Sequence, residues 1–183
     1  MKLNLGCGTK KMPGFVNVDG REDVQPDVVC DISNISDKFS DVDLIYASHV
    51  LEHFPFKYNQ FYEHTCFDIL NDWHKALKTG GVLRLSVPDF EAICKHYIFH
   101  NDLNVIKCLL MGGQKYDFDF HFTCWDFKTL SEVLVSAGFK NVKKYDWKKT
   151  EHFYIDDYSQ AYLPHMDKVN GLLMSLNVEA TKA

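Results

Sequence analysis

Short apolar runs punctuate the first half of the chain: Leu3 to Leu5, Phe15 to Val18, Asp27 to Cys30, Asp43 to Ala47 and Val82 to Val87. Gly6, Asp19, Asp31 and Pro88 follow four of them, so the runs read as strands closed by turn-forming residues. Between the fourth and fifth, the period lengthens. Tyr58, Tyr62, Cys66, Ile69, Leu70, Trp73 and Leu77 recur at spacings of three and four, which predicts a helix over 58–77 ended by Gly80 and Gly81. Three further helices are expected behind acidic N-caps. Asp89 precedes Ile93, Cys94, Tyr97 and Ile98, Asp102 precedes Leu103, Ile106, Leu109 and Leu110, and Asp126 precedes Leu130, Val133, Leu134 and Ala137. Two last strands follow at 141–147 and 172–180, the second with Leu172, Met174, Leu176 and Val178 on one face.

Seven strands interleaved with helices predict an α/β fold with a doubly wound, seven-stranded and mostly parallel sheet. No repeat or linker interrupts its 183 residues, so one domain over 1–183 is expected. In such sheets ligands bind beyond the carboxyl ends of the strands, here after Leu5, Val18, Cys30, Ala47 and Val87.

Charge and cysteine content narrow the classes. Twenty Lys and Arg against 25 Asp and Glu leave a net charge of −5, a poor footprint for holding a phosphate backbone, so no nucleic acid is expected as a partner. No apolar run approaches a membrane span, and MKLNLGCGTKK is too short in apolar residues for a signal peptide, so a cytoplasmic location and no membrane partner are expected. Six cysteines without a CxxC pair read as reduced packing residues.

The strongest local signal is Asn4-Leu5-Gly6-Cys7-Gly8-Thr9, a strand running straight into a glycine turn. Glycines there tolerate positive φ and let backbone amides approach a ligand. Asp19, at the end of the second strand, can accept both hydroxyls of a ribose. Asp31 and Ile32, after the third, can offer a polar contact and an apolar lid to a purine. The plain alternative is a tight turn with solvated strand-end carboxylates.

These segments, with DLIYASHVLEHF, LKTGGVLRLSVPD, FKTLSEVLVSAGFKNV and the final SLNVEATK, resemble the class I S-adenosylmethionine (SAM)-dependent methyltransferases, in particular their short type 11-like group. The resemblance implies a Rossmann-like sheet whose last strand inserts antiparallel, SAM as cofactor, and a site lined by Asn4, Gly6, Cys7, Gly8, Asp19, Asp31, Ile32, Ala47, Ser48 and His53. It implies the methionine part over the Gly6-Cys7-Gly8 turn, the ribose at Asp19, the adenine at Asp31 and Ile32, and the sulfonium near Ala47, Ser48 and His53. Two departures stand out. Asn4 occupies a position where most members carry an acid. Only Thr9 to Gly14 separate the glycine turn from the second strand, where a parallel crossover usually takes about a dozen residues or more. The first half is therefore expected to be helix-poor and the cofactor more exposed, or completed by a second copy in a homodimer.

Two rival chemistries share this region. His49-Val-Leu-Glu52-His53 spells HxxEH, which on a helix binds zinc through both histidines with the glutamate as base; here the motif follows a strand and ends at Phe54-Pro55, the wrong context. A dinucleotide dehydrogenase would place a third glycine at Lys11. For methyl transfer, the candidate proton acceptors are His121, in the aromatic loop DFDFHFTCWDF, and Asp89, whose other role is as an N-cap. Residues 111–125 pair a Gly112-Gly113 hinge with Tyr116, Phe118, Phe120, Phe122 and Trp125, either a core-facing strand or a lid over a flat or sugar-like substrate. Neither an NPPY nor a PC motif occurs, which turns the expectation from bases of nucleic acids toward a small-molecule acceptor such as a saccharide or its precursor. A catalytically silent binding module of the same fold is the alternative.

Overall fold

The computed structural model describes residues 1–58 and 63–183. Strands β1 (Lys2–Leu5), β2 (Val16–Asp19), β3 (Val28–Val29), β4 (Val42–Ser48) and β5 (Leu77–Pro88) run parallel. Beyond them lie β6 (Phe139–Lys144), the separate antiparallel ribbon of β7 (Tyr162–Leu163) and β8 (Leu172–Leu173), and β9 (Ser175–Lys182). The main sheet has seven strands in the order β3-β2-β1-β4-β5-β9-β6, with β9 antiparallel to both neighbours. The doubly wound α/β architecture and the antiparallel last strand are those expected from the sequence.

Local chemistry sets the helix boundaries. Helix α1 (Cys66–Ala76) begins at a capping box: the Asp68 amide donates to Thr65 Oγ1 at 3.3 Å and the Thr65 amide donates to Asp68 Oδ2 at 2.8 Å. It therefore starts later than the apolar spacing suggested, and Tyr58 lies outside it, donating its hydroxyl to Asp68 at 3.0 Å. Tyr62 falls outside the described residues. The helix also stops before the glycine pair, because Leu77 already opens β5 and pairs with Val42. Helices α2 (Phe90–His100), α3 (Leu103–Met111) and α4 (Phe127–Ser136) start behind Asp89, Asp102 and Asp126, each of whose carboxylates accepts from a first-turn amide. Such a cap contributes about 1 kcal/mol.

Two strand expectations need correction. β6 ends at Lys144, and Trp147 sits in a 3-10 turn. The run 172–180 is broken, because the Met174 amide donates to Ala161 O at 2.8 Å and the Asp89 amide to Met174 O at 2.9 Å. Leu172 consequently stays exposed and Met174 packs against Ala92, Ile93 and Ile106, while Leu176 and Val178 enter the main core.

That core lies between the sheet and α1 and α4, where Ile69, Leu70, Trp73, Leu130 and Leu134 meet Leu3, Leu5, Ile45 and Leu85. The opposite face has no helix between β1 and β2. Met12 and Phe15, both buried, cover Leu44 and Tyr46 instead, with Ile155 packed alongside. A polar network holds this short crossover. Asn4 Nδ2 donates to Lys10 O at 3.0 Å and to Asn17 Oδ1 at 2.9 Å, and the Met12 amide also donates to Asn17 Oδ1 at 2.7 Å. The six cysteines are free, but Cys108 and Cys124 are exposed rather than packed. Among the described residues, no helix is long and apolar enough to cross a membrane.

Candidate active site

The carboxyl ends of β1, β2 and β4 open on a crevice with two adjoining cavities. One, of about 550 Å³, is lined by Gly6, Asp19, Arg21, Asp31, Ile32, His53, Tyr116, Phe118 and Phe120, among others. The other, of about 620 Å³, shares Gly6, Arg21, His53 and Tyr116 and adds Asn4, Cys7, Gly8, Ser48, Leu109 and His121. Gly6 and Gly8 have φ of +60° and +50°. A Cβ on Gly6 would stand 2.6 Å from Val50 Cγ2, whereas one on Gly8 would meet only the Arg21 guanidinium at 3.5 Å. The turn is thus compressed against the fold at Gly6 and open to the crevice at Gly8, a cradle in which side chains would take up ligand space.

Asp19 stands behind this cradle. Its Oδ2 accepts from the Gly8 amide at 2.8 Å, and its Oδ1 accepts from the Arg21 amide at 2.9 Å. These bonds tie the two strand ends together, and with a third from Arg21 Nε to Oδ1 at 3.4 Å they leave about one acceptor position on a carboxylate that can take about four. Asp31 Oδ1 accepts from the Ser33 amide at 2.8 Å, and Ile32 lines the same cavity with its carbonyl accepting from the Trp73 indole at 2.8 Å. The two carboxylate acceptors, the apolar Ile32 and the open turn at Gly8 suit the ribose and purine of an adenosyl ligand.

Other expected site residues sit differently. Ala47 is fully buried in the core and lines neither cavity, because its side chain points from β4 to the helical face. Asn4 reaches the cavity wall but spends its amide nitrogen on the crossover network. Asp89 is an N-cap, its Oδ1 accepting from the Glu91 and Ala92 amides at 3.0 and 3.3 Å, and it belongs to neither cavity wall. Burial pushes the Cys7 thiol up to about 11, so it is no nucleophile at neutral pH.

A polar cluster that periodicity did not reveal lies at and behind the wall of the second cavity. Glu52 is completely buried, neither carboxyl oxygen has a hydrogen-bond partner, and burial pushes its pKa up to about 8. His49 Nδ1 lies 3.3 Å from Glu52 Oε1 without hydrogen-bond alignment, and His121 Nε2 lies 4.0 Å from the same oxygen. His53 and His121 meet edge to face at 4.9 Å. Burial, reinforced by His53, lowers His121 to about 4, and burial lowers His53 as well. The HxxEH segment is not one face of an α-helix: His49 ends β4 at φ +54°, and Leu51–His53 is a single 3-10 turn. The zinc-hydrolase geometry expected of that motif is therefore not built.

The aromatic segment is a loop, not a strand. Main-chain amides of Phe122 and Thr123 donate to Glu52 O at 2.8 and 3.2 Å, and the His121 amide donates to Met111 O at 3.1 Å. Tyr116, Phe118 and Phe120 line the crevice, and Trp125 is buried in the core. The two glycines are contact points rather than a free hinge, since a Cβ on Gly112 would stand 2.2 Å from Asp119 O. Arg21, two residues after Asp19, lies 5.1 Å from the Tyr116 ring centroid and bridges the cradle to this loop. Only the neighbouring Asp19 could have drawn attention to it.

The sheet order, with β9 antiparallel between β5 and β6, is a fold shared with solved SAM-dependent methyltransferases. Among solved structures, a SAM-dependent methyltransferase from Thermotoga maritima, described as a possible histamine N-methyltransferase, superposes with a TM-score of 0.62 at 14% identity, covering 100% of this chain and 82% of that one. A SAM-dependent methyltransferase from Archaeoglobus fulgidus gives 0.57 at 17%, covering 99% and 85%. Human N-acetylserotonin methyltransferase in complex with SAM gives 0.55 at 12%, covering 100% of this chain and 47% of that one. At such identities the likeness is one of fold. No protein-family model and no curated protein matches the sequence.

Proposed function

We propose that this protein transfers a methyl group from SAM to a small-molecule acceptor. The carrying observation is the cradle: Gly6 and Gly8 at positive φ, with Asp19 behind them, open on a large cavity at the carboxyl ends of β1 and β2. Gly8, Asp19, Asp31 and Ile32 would hold the cofactor, which supplies when bound a methyl group already activated on a sulfonium. The chain's remaining work is to orient an acceptor in line and to receive one proton. Tyr116, Phe118 and Phe120 provide apolar faces suited to a flat or sugar-like acceptor, a saccharide among them. His53 and His121, both on the wall of the second cavity, would stand where the acceptor's proton leaves, with Glu52 buried behind them; Asp89 lines neither cavity.

Calorimetry with SAM and S-adenosylhomocysteine tests the reading. Binding of both, weakened in Asp19→Ala at unchanged secondary structure, supports it; no binding at millimolar ligand overturns it. The commitment of Asn4 to the crossover favours a second reading, a binding module of the same fold. Methylation of any acceptor in a metabolite extract eliminates that one.

A further inference from the structure

Among the described residues, one group of three metal-ligating side chains converges: one ligand atom each from Glu52, His53 and His121 lie within 4.8 Å of one another. The hydrogen bonds on their far sides decide which nitrogens are free. His53 Nδ1 is 2.9 Å from Phe120 O, and His121 Nδ1 is 3.0 Å from Leu109 O. A carbonyl can only accept, so each Nδ1 carries the proton and each Nε2 is left as a lone pair. A backbone carbonyl behind each imidazole is the usual way of orienting a metal-ligating histidine. The third member is more unusual. The Glu52 carboxyl is completely enclosed, yet both oxygens lack a hydrogen-bond partner. A buried polar group left unpaired costs on the order of 1–3 kcal/mol, and more when charged, so a ligand that pairs it is strongly favoured.

We propose that Glu52, His53 and His121 bind a divalent transition-metal ion at the wall of the second cavity, with Glu52 buried behind the two histidines. Two imidazoles and one carboxylate are donors suited to zinc, cobalt or iron(II), and three protein ligands leave coordination positions open. Bonds of about 2.1 Å in a tetrahedral site set ligands about 3.4 Å apart, so the side chains close by roughly 1 Å around the ion. His49, whose Nε2 is 2.9 Å from Ser175 Oγ, is not one of the three converging groups. The ligand set thus shares Glu52 and His53 with the HxxEH string and takes its third member from the aromatic loop. His53 and His121 both line the second cavity, so an oxygen of the acceptor can complete the coordination there; with both Nε2 atoms on the ion, the acceptor's proton then leaves to solvent rather than to either imidazole. That last step rests on the methyltransferase reading; the ion site itself does not.

The test uses the full chain purified without a histidine tag and stripped with chelator. Titration with Zn²⁺ by calorimetry and with Co²⁺ by visible absorption is expected to give one ion per chain, with cobalt bands reporting nitrogen and oxygen ligands. His121→Ala and, separately, His53→Ala are expected to weaken binding at least about tenfold. Glu52→Gln gives the same loss if it folds; the two histidine variants keep the test decisive if it does not. Absence of stoichiometric binding by the wild type, or equal binding by both histidine variants, overturns the site. S-adenosylhomocysteine binding is measured in parallel. Its loss with metal binding intact would count against the cofactor reading alone, and its retention with no metal binding would count against the ion alone.

Discussion

Asn4 Nδ2 donates to Asn17 Oδ1 at 2.9 Å, and through that bond β1 and β2 hold a crossover too short for a helix. Both Asn4 amide protons have acceptors, Lys10 O being the other. Asn4→Asp would face those two acceptors with a carboxylate that donates nothing. We expect a loss of about 3 kcal/mol in urea unfolding, and no gain in S-adenosylhomocysteine affinity. Tighter cofactor binding by Asn4→Asp would show that the asparagine is a handicap at the site and not a structural element.

The two glycines of the turn should respond differently to alanine. At Gly8 the cost is mainly the positive φ, about 1 kcal/mol, and the new methyl projects toward the crevice, so ligand affinity falls more than stability. At Gly6 the methyl also meets Val50 Cγ2 at 2.6 Å, so stability falls first. Val50→Ala should restore part of the loss in Gly6→Ala and none in Gly8→Ala, as read by thermal unfolding of the double variants.

Gly112→Ala drives a methyl to 2.2 Å from Asp119 O, inside any tolerated contact. The 112–124 loop should leave its seat and carry Tyr116, Phe118 and Phe120 from the crevice wall. Hydrogen exchange is expected to accelerate at the Gln114, Asp119 and His121 amides, which donate to Asp119 O, Tyr116 O and Met111 O. Protection in β4 and β5 should be unchanged.

A salt-linked cluster predicts acid sensitivity. Partial burial works against the ionised form of Glu151, but hydrogen bonds from Lys2 and Arg84, each at 2.9 or 2.8 Å, together hold it down at about 2, below its ordinary 4.5. A depressed carboxyl contributes stability that is fully present above pH 4.5 and is lost as pH falls through about 2. The stability difference between wild type and Glu151→Gln should therefore shrink across that window. Because the glutamate side chain is 39% exposed, the difference at neutral pH should stay below about 1 kcal/mol after solvent screening.

Thiol labelling checks the cysteine environments. Cys108 and Cys124 should react with an aromatic disulfide reagent in the native state, and Cys7 and Cys66, whose thiols burial pushes up to about 11, only after unfolding. Rapid labelling of Cys7 would show that the glycine turn opens far more than its contacts imply.

Much of the fold could be read along the chain. Asp89, Asp102 and Asp126 identify helix starts because a cap is a local event between a carboxylate and amides two or three residues on. The apolar spacing overruns the start of helix α1 because it continues upstream, while the box at Thr65 and Asp68 decides where helical hydrogen bonding begins. Alternation along 172–180 misplaces Met174 because a bond to Ala161, distant in sequence, breaks the strand beside it.

The sequence by itself determined the seven strands of the main sheet, the glycine turn and the acid behind it, since each depends on neighbours along the chain or on a repeating period; the antiparallel last strand is implied by the family resemblance, and the β7-β8 ribbon is predicted by neither. Only the tertiary structure decided that Ala47 and Asp89 stand outside the crevice walls and that Arg21 joins them. It also brought His121 from the aromatic loop to Glu52 and His53. The reason is physical: a buried carboxyl and two imidazoles separated by nearly seventy positions meet through loop packing and main-chain bonds to Glu52 O, which no local period encodes.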